Sequence, residues 1–425
     1  MSDTIFALSS GAPPAAIAVV RVSGPEAGNS LRALCGQIPP ARRAVSARLI
    51  DAEGEQIDRA LVIWLPGPGT ATGEDIAEFH LHGGRAVIAA LERTLGGLPG
   101  LRPAAAGEFT RRAFANGRID LAETEGLADL LSAETELQRR SAMAMASGTF
   151  SAMVGGWRER LLTASASLEA VLDFGDEDDV APLPPAFAAE LAALQEDIAA
   201  WLSRPRAEVL REGYRVVIAG PPNLGKSTLF NELVGADAAI ATPIAGTTRD
   251  VLTRPVSLGG IPFLFADTAG LHDNAGDEVE AIGIERALEA LDRADLVLWL
   301  GPEGMGPQGC WEIASQIDRA DALRKRTARH RISAISGAGL DALRHDLIET
   351  ARKAMPKPGE AALSERQHGL LGEASRALAM AKVERDPLLI AENLRLARVA
   401  FDILLGRTTT EDMLDMLFGR FCIGK

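Results

Sequence analysis

The fold of this chain is decided by one stretch, Arg215–Asp250, which reads RVVIAGPPNLGKSTLFNELVGADAAIATPIAGTTRD. It opens with a short apolar run, Val216–Ala219, that predicts a buried strand. Gly220–Ser227 then matches the pattern G-x-x-x-x-G-K-[ST], and the residues after it have apolar positions at helical spacing. A strand, a glycine-rich loop and a helix in this order are the context that a phosphate-binding P-loop requires. The alternative, an ordinary glycine-rich turn, explains neither the Lys-Ser ending nor the flanking pattern.

The residue types of this motif indicate how it would bind a nucleotide. The backbone N–H groups of the loop and the N-terminus of the helix would face phosphate oxygens. Lys226 is expected to contact the β- and γ-phosphates, and the Ser227 hydroxyl is expected to ligate Mg²⁺.

Two downstream motifs favour a GTPase over a general ATPase. Asp267-Thr-Ala-Gly follows an apolar run, Phe263–Ala266, so the Asp would hold Mg²⁺ through water and the Gly N–H would sense the γ-phosphate. Thr247–Asp250 lies between the P-loop and this motif, where a switch threonine, Thr248, would complete the Mg²⁺ shell.

The composition is typical of a multidomain protein of a reducing cytosol. The 425 residues are enough for about three domains. Cys35, Cys310 and Cys422 are far apart, which argues against a disulfide framework. We expect no signal peptide, since no basic residue precedes Arg21, and no membrane span, since no apolar run is long enough. A net charge of −14 argues against a broad basic surface for nucleic acid, but not against a local patch.

Patterning divides the chain into four segments. Residues 1–117 alternate β-like runs with Gly and Pro and predict an α+β domain. Residues 118–211 and 351–425 predict helices, and residues 212–350 alternate strands and helices around the P-loop. The predicted fold class is therefore multidomain α/β plus α. A Ras-like G domain with a mostly parallel, doubly wound sheet is inserted between two halves of a helical domain.

Individual elements are predicted within these segments. Helices are expected over 120–148, from about 156 to 174, and from 185 to about 211. The expected strands are Ile17–Val22, Arg48–Ile50, Leu61–Leu65 and Glu78–His82 in the first segment, and Tyr214–Ala219, Val256–Leu258, Phe263–Ala266, Leu296–Leu300 and Arg331–Ile335 in the G domain.

Four separated signatures resemble those of the tRNA modification GTPase MnmE family, also called TrmE. The resemblance covers nearly the whole chain; its P-loop is generic, whereas its C-terminal sequence is highly specific. The signatures are Thr4–Leu8 with Val20–Pro25; Thr72–Asp75 with His82–Gly84 and Gly107–Glu123; the P-loop with Ile244–Asp250 and Asp267–Leu271; and Phe421-Cys-Ile-Gly-Lys425.

The resemblance implies a cytoplasmic, homodimeric, K⁺-stimulated GTPase that works with the flavoprotein MnmG in a heterotetramer. Together they would add an aminomethyl or carboxymethylaminomethyl group to C5 of the wobble uridine of certain tRNAs. The one-carbon unit would come from a 5-formyl- or 5,10-methylene-tetrahydrofolate bound in the folate-binding, dimerising N-terminal domain. Its contacts would be Arg21, Glu78, Arg118 and Lys425. Without the resemblance, Arg21 and Arg118 are more typical of surface ion pairs.

The resemblance also assigns the nucleotide and ion contacts. Ser227 and Thr248 would ligate Mg²⁺. K⁺ would be ligated by oxygen atoms of Asn223, Thr242, Ile244 and Thr247. The GTP contacts are Asn223, Leu224, Gly225, Lys226, Ser227, Thr228, Thr242, Pro243, Ile244, Ala245, Gly246, Thr247, Thr248, Asp267, Thr268, Ala269, Gly270, Asp318, Ser333 and Ala334.

Catalytic roles are implied for Lys226, Asn223, Glu280 and Cys422. The motifs show neither a Ras-like Gln, since Leu271 stands in its place, nor an arginine finger, so K⁺ would supply the cation that hydrolysis needs. Glu280 would orient the attacking water. The alternatives are a turn residue at Asn223, a solvated helix-start carboxylate at Glu280 and a structural cysteine at Cys422.

Guanine recognition departs from the pattern of most GTPases. Where N-K-x-D is usual, the chain has Ser315-Gln-Ile-Asp318, so only the Asp remains. Ser333-Ala334 matches the loop whose backbone N–H would meet guanine O6. We expect GTP to be preferred over ATP, with a weaker affinity than N-K-x-D would give.

Other interpretations stay open. The chain could be a GTP switch of the ribosome-assembly type that modifies nothing, or a family member impaired in hydrolysis. The six Lys and Arg residues from Arg319 to Arg331 could touch RNA, although a solvated helix is the more common explanation. His80 and His82 share a strand face but lack a third ligand at metal spacing, which argues against zinc.

Overall fold

The structure, a computed structural model, divides into two compact units. It describes residues 3–173, 185–235, 253–267, 289–408, 411–419 and 421–424. The first unit comprises the described residues within Met1–Ala128, Ser151–Gly155 and Phe401–Lys425, and the second unit those within Asp129–Phe150 and Gly156–Ala400. The four sequence segments form a finer division, and their boundaries stay a prediction.

The first unit is built on a six-stranded sheet. Its strands are β1 Thr4–Leu8, β2 Ala15–Ser23, β3 Ala44–Ile50, β4 Gln56–Leu65, β5 Ile76–Gly83 and β6 Leu101–Pro103. They lie in the order β3-β4-β5-β2-β1-β6, antiparallel except for the parallel pair β1 and β6. The strands predicted in this segment are confirmed, and each is longer than the run that predicted it.

Alternation along these strands gives the sheet a buried face and a more polar face. Val20 and Phe79 lie in a core on the buried face. This core is closed by two helices, α1 Ala27–Cys35 and α2 Arg85–Gly96. Arg21 follows Val20 on β2, and Glu78 precedes Phe79 on β5. Both side chains therefore lie on the other face, where the two residues are directly paired in register.

Two of the predicted helices are interrupted. The single helix predicted over 120–148 is wrong, because Thr135 starts a new helix through a capping box with Gln138. The helix predicted from 185 to 211 is wrong in the same way, because it stops before Pro205. The remaining helices are α3 Glu108–Ala115, α4 Leu121–Ser132, α5 Glu136–Ala146, α6 Thr149–Asp173, α7 Pro185–Leu202, α8 Ala207–Glu212, α9 Lys226–Gly235, α10 Leu340–Ala354, α11 Glu365–Val383, α12 Pro387–Leu404 and α13 Glu411–Phe418.

The second unit contains a six-stranded, mostly parallel sheet. Its strands are β7 Tyr214–Ala219, β8 Thr253–Leu258, β9 Ile261–Asp267, β10 Leu296–Trp299, β11 Trp311–Ala314 and β12 His330–Arg331. Their order is β12-β11-β10-β7-β9-β8, and only β8 is antiparallel to its neighbour. Helices α9 and α10 pack on one face. The predicted mixed α/β class is confirmed. The strand β11 was not predicted, and the predicted strand Arg331–Ile335 is wrong except at Arg331, the last residue of β12.

Two crossovers of this sheet lack the helix that usually joins parallel strands. Residues 300–310 and 315–329 are described throughout and form only turns and loops. Lys325, in the second of these segments, is buried, and its Nζ donates to Trp299 O at 2.7 Å and to Glu312 Oε2 at 2.6 Å. A solvated helix in the basic segment is therefore wrong, since no helix forms and one of its six cations is buried in an ion pair.

A buried arginine joins two of the signature motifs in the first unit. The Arg112 guanidinium is fully buried and donates to Glu74 Oε2 at 3.1 Å, Glu108 Oε1 at 3.1 Å and Asp3 Oδ1 at 3.0 Å. Arg102 donates to Glu108 Oε2 at 2.8 Å and to Asp3 Oδ2 at 2.6 Å. The network ties the loop before β5 and the start of α3 to the beginning of β1.

The pKa values of two carboxylates in this network are lowered by folding. Burial opposes ionisation of Glu108, but hydrogen bonds from Arg102, the Ala105 N–H and Arg112 outweigh it and hold its pKa below the ordinary 4.5. For Asp3, the hydrogen bond from Arg102 is the largest cause and holds the pKa below 3.8. These carboxylates therefore bind fewer protons in the folded chain than in the unfolded chain.

Acid is expected to destabilise the first unit through Glu108 and Asp3. Because both pKa values are lowered by folding, their contribution to stability is complete above about pH 4.5 and is lost as the pH falls through the folded values. Hydrogen-exchange protection factors of β1 and β2 should fall more steeply with acid in the wild type than in Glu108→Gln. The exposed Glu53→Gln serves as a control and should follow the wild type. Equal acid dependence in the wild type and Glu108→Gln would contradict the assignment.

Candidate nucleotide-binding site

Residues 220–225 form the turn between β7 and α9, at the carboxyl edge of the parallel sheet. Gly220, Asn223 and Gly225 have φ values of 145°, 65° and 81°. A Cβ atom at Gly220 would lie 2.9 Å from Gly301 N, so the turn requires a glycine there. The strand order reverses at β7, and open α/β sheets bind ligands at this point.

Lys226 is the first residue of α9, and its side chain lies over the turn. Its Nζ donates to Pro221 O at 2.8 Å, and the residue is only 5% exposed. Ser227 and Thr228 follow in the first helical turn and are exposed. The N-terminus of a helix favours a bound anion, so the arrangement places an ammonium group and a helix end on the same small turn.

Asp267 is the last residue of β9 and lies at the same sheet edge. It is opposite Ile218 in the parallel pair of β7 and β9, and it is 1% exposed. Ser227 and Asp267 offer oxygen atoms, which Mg²⁺ prefers, so both fit the predicted ion. Among the described residues, no cluster of three or more His, Cys, Asp and Glu side chains is placed to hold a metal by itself.

The loop after β11 contacts the P-loop through two side chains. Ser315 Oγ donates to Leu224 O at 2.9 Å, and Gln316 Nε2 donates to Asn223 O at 3.2 Å. Asp318 follows and is exposed. These contacts place the segment that replaces N-K-x-D beside the phosphate-binding turn.

The second predicted base-binding segment adjoins this loop. The Ile317 N–H donates to Ile332 O at 3.2 Å, immediately before Ser333 and Ala334. Ser333 is buried, and its Oγ accepts from the Ser336 N–H at 3.1 Å. The described parts of the predicted GTP site are thus brought together at one end of the sheet.

Several predicted contacts lie outside the described residues, and their roles stay predictions. They are Thr242, Pro243, Ile244, Ala245, Gly246, Thr247, Thr248, Thr268, Ala269, Gly270, Glu280 and Lys425.

The chain is similar to known proteins over its whole length. Residues 121–422 match the MnmE helical domain, and residues 4–118 match the GTP-binding protein TrmE N-terminus. A tRNA modification GTPase MnmE of Erythrobacter litoralis is 61% identical over 423 residues, which cover 100% of both chains. The chain belongs to the tRNA modification GTPase MnmE family.

Other relatives agree with this assignment. The MnmE protein of Novosphingobium aromaticivorans is 61% identical over 437 residues and also covers 100% of both chains. Among solved structures, the G domain of the T. maritima FeoB iron transporter matches 32% of this chain and 97% of its own. Its sequence identity is 21% and its TM-score is 0.21.

In this MnmE family member, Arg21 and Glu78 contact each other. Arg21 Nε and Nη2 donate to Glu78 Oε1 at 3.0 and 2.9 Å, and the Arg21 guanidinium lies 6.0 Å from the centre of the Phe109 ring. The ion pair considered as the alternative is therefore present. Arg118 is exposed beside Gly73. Folate binding by these residues stays a prediction.

The C-terminal signature of the MnmE family packs against the start of the first unit. Ile423 forms a bridge with Ala106, and Ser9 Oγ donates to Gly424 O at 2.9 Å. Cys422 is exposed between these contacts. Gly424 has a φ of 96°, and a Cβ there would lie 2.0 Å from Leu8 O. Sequence reasoning missed Ser9, whose only signal is its place in a Ser- and Pro-containing loop.

Proposed function

We propose that this GTPase couples K⁺-stimulated hydrolysis of GTP to modification of C5 of the wobble uridine in certain tRNAs, with MnmG as its partner. The product would carry an aminomethyl or carboxymethylaminomethyl group. The observation that carries the proposal is the P-loop turn with buried Lys226, in a chain that matches MnmE relatives from end to end.

The chain's own residues divide the work of hydrolysis. Lys226 brings positive charge to the β- and γ-phosphates, where charge develops during transfer. Ser227 and Thr248 would hold Mg²⁺, with Asp267 acting through water. Glu280 orients the attacking water. Asn223, Thr242, Ile244 and Thr247 would hold K⁺, which would supply the positive charge that an arginine finger supplies in other GTPases.

The modification chemistry is assigned to the N-terminal segment. A folate presents a carboxylate that suits Arg21, Arg118 and Lys425, and pterin N–H groups that suit a carboxylate such as Glu78. The Arg21–Glu78 pair is partly exposed, so both side chains have a face open to a ligand. Cys422 is the candidate nucleophile near this site. The working unit would be a homodimer in the cytoplasm, bound to MnmG and tRNA. Among the described helices, none is long and apolar enough to cross a membrane.

The K⁺ requirement gives the first test. GTP hydrolysis should be at least about tenfold faster in KCl than in NaCl, because one well-placed charge is worth at least this much in a dry site. Asn223→Gly removes the carboxamide yet tolerates the left-handed backbone at this position, so it should abolish the K⁺ effect while GDP binding persists.

The opposite result would favour the alternative. Equal rates in K⁺ and Na⁺ for the wild type would indicate a family member impaired in hydrolysis. The Ser315-Gln316 replacement is the feature that motivates this alternative.

A further inference from the structure

Ser315 and Gln316 contact the P-loop, and the sequence does not predict these contacts. Each donates from its side chain to a main-chain carbonyl of the loop, at Leu224 O and Asn223 O respectively. Gln316 has a φ of 56° and Asn223 a φ of 65°, which is unusual for residues other than glycine. Such backbone conformations persist where surrounding contacts hold them, and clusters of them point to function.

Because the peptide bond is planar, these two contacts also fix the direction of two backbone N–H groups. In a trans peptide the C=O of one residue and the N–H of the next point in opposite directions. Gln316, by holding Asn223 O, therefore fixes the direction of the Leu224 N–H. In the same way Ser315, by holding Leu224 O, fixes the direction of the Gly225 N–H.

The same geometry keeps the side-chain amide close to the turn. A Cβ on Gly225 would lie 3.3 Å from Gln316 Nε2, so the amide group packs directly over that glycine. Asp318 is on the same loop, two residues after Gln316. The segment that holds the phosphate-binding amides is therefore continuous with the segment predicted to recognise guanine.

We propose that Ser315 and Gln316 are positioning residues for the nucleotide phosphates. They hold the main-chain carbonyls of Asn223 and Leu224 so that the Leu224 and Gly225 N–H groups face the β-phosphate. The inference rests on the proposed GTP site and goes beyond it, because it gives a role to the two residues that replace Asn and Lys. The replacements then change which side chains donate the hydrogen bonds, but the loop after β11 stays attached to the P-loop.

Matched variants at position 316 isolate the donor. Gln316→Met keeps the length of the side chain but donates no hydrogen bond, whereas Gln316→Lys keeps an N–H donor. Both carry the same backbone strain, so their difference reports the hydrogen bond. Ser315→Ala tests the second contact, and the exposed Gln308→Met is the control. Dissociation constants for GDP and GMP would be measured by competition with a fluorescent GDP analogue.

The comparison of GDP with GMP separates positioning from general loosening. Gln316→Met and Ser315→Ala should each weaken GDP binding about threefold to tenfold, the usual range for one neutral hydrogen bond. GMP lacks the β-phosphate, so its affinity should change less than about twofold. Gln316→Lys and Gln308→Met should bind GDP within about twofold of the wild type.

Three results would overturn the inference: unchanged GDP binding in both Gln316→Met and Ser315→Ala, equal weakening of GDP and GMP, or no recovery in Gln316→Lys. Thermal melting of each variant identifies a folding defect, and Ser315→Ala then supplies the decisive comparison. Failure of the wild type to bind GDP would instead contradict the proposed function on which the inference rests.

Discussion

Replacing Lys226 with alanine is expected to lower GTP hydrolysis at least about 100-fold, the usual loss when one preorganised donor to a transition state is removed. Lys226 is the only cationic side chain between Gly220 and Ser227, and it is held over the turn by Pro221 O. No other residue of the loop can replace its charge. The rate would be measured as phosphate release under saturating GTP, Mg²⁺ and K⁺.

Two further variants sharpen this test. Lys353→Ala removes an exposed lysine of α10 and should leave the rate unchanged. Lys226→Arg keeps the charge but replaces a compact ammonium with a planar fork, so it should remain inactive. A Lys226→Ala protein that hydrolyses GTP within about threefold of the wild type would exclude a catalytic role for this side chain.

Replacing Arg112 with methionine is expected to destabilise the first unit by about 3–5 kcal/mol, the range measured when one partner of a buried ion pair is removed. The change would remove the guanidinium that contacts Glu74. Glu108 and Asp3 would keep only their hydrogen bonds from Arg102 among the arginines of the network. Hydrogen exchange of β1 and β2, followed by mass spectrometry, would measure the loss as faster exchange in these strands.

The neighbouring arginine provides a matched control. Arg111 is about one-third exposed and pairs with Glu411 and Asp415 at the surface. Arg111→Met should cost less than about 1 kcal/mol, because water screens exposed ion pairs. Adding Glu74→Gln to Arg112→Met should recover part of the stability, since it removes an uncompensated charge. Equal effects of Arg111→Met and Arg112→Met would show that burial of Arg112 contributes nothing.

Features encoded by neighbouring residues were predicted well from the sequence. The β7 strand was predicted at its observed bounds, because a β-branched run stands directly before the glycine-rich turn. The strands β2, β3, β4 and β5 of the first unit were predicted because alternating residues face a core and a polar surface. In each case the signal and its structural consequence lie within about ten residues of one another.

Features that depend on distant contacts were not predicted. The sequence predicts a solvated cation at Lys325, because its partners Trp299 and Glu312 come from other parts of the sheet. The attachment of Gln316 to Asn223 spans 93 residues in sequence. The break at Thr135 has a local signal, the capping box with Gln138, but a segment without proline also fits one continuous helix.

The central claim is that nucleotide turnover at Lys226 supports modification of the wobble uridine. The most direct test is mass spectrometry of wobble uridines in tRNA from cells that lack this chain, complemented with either the wild type or Lys226→Ala. We predict that the C5 aminomethyl-type groups disappear in the deletion, return with the wild type and stay absent with Lys226→Ala. Unchanged wobble uridines in the deletion strain, or full recovery with Lys226→Ala, would contradict the claim.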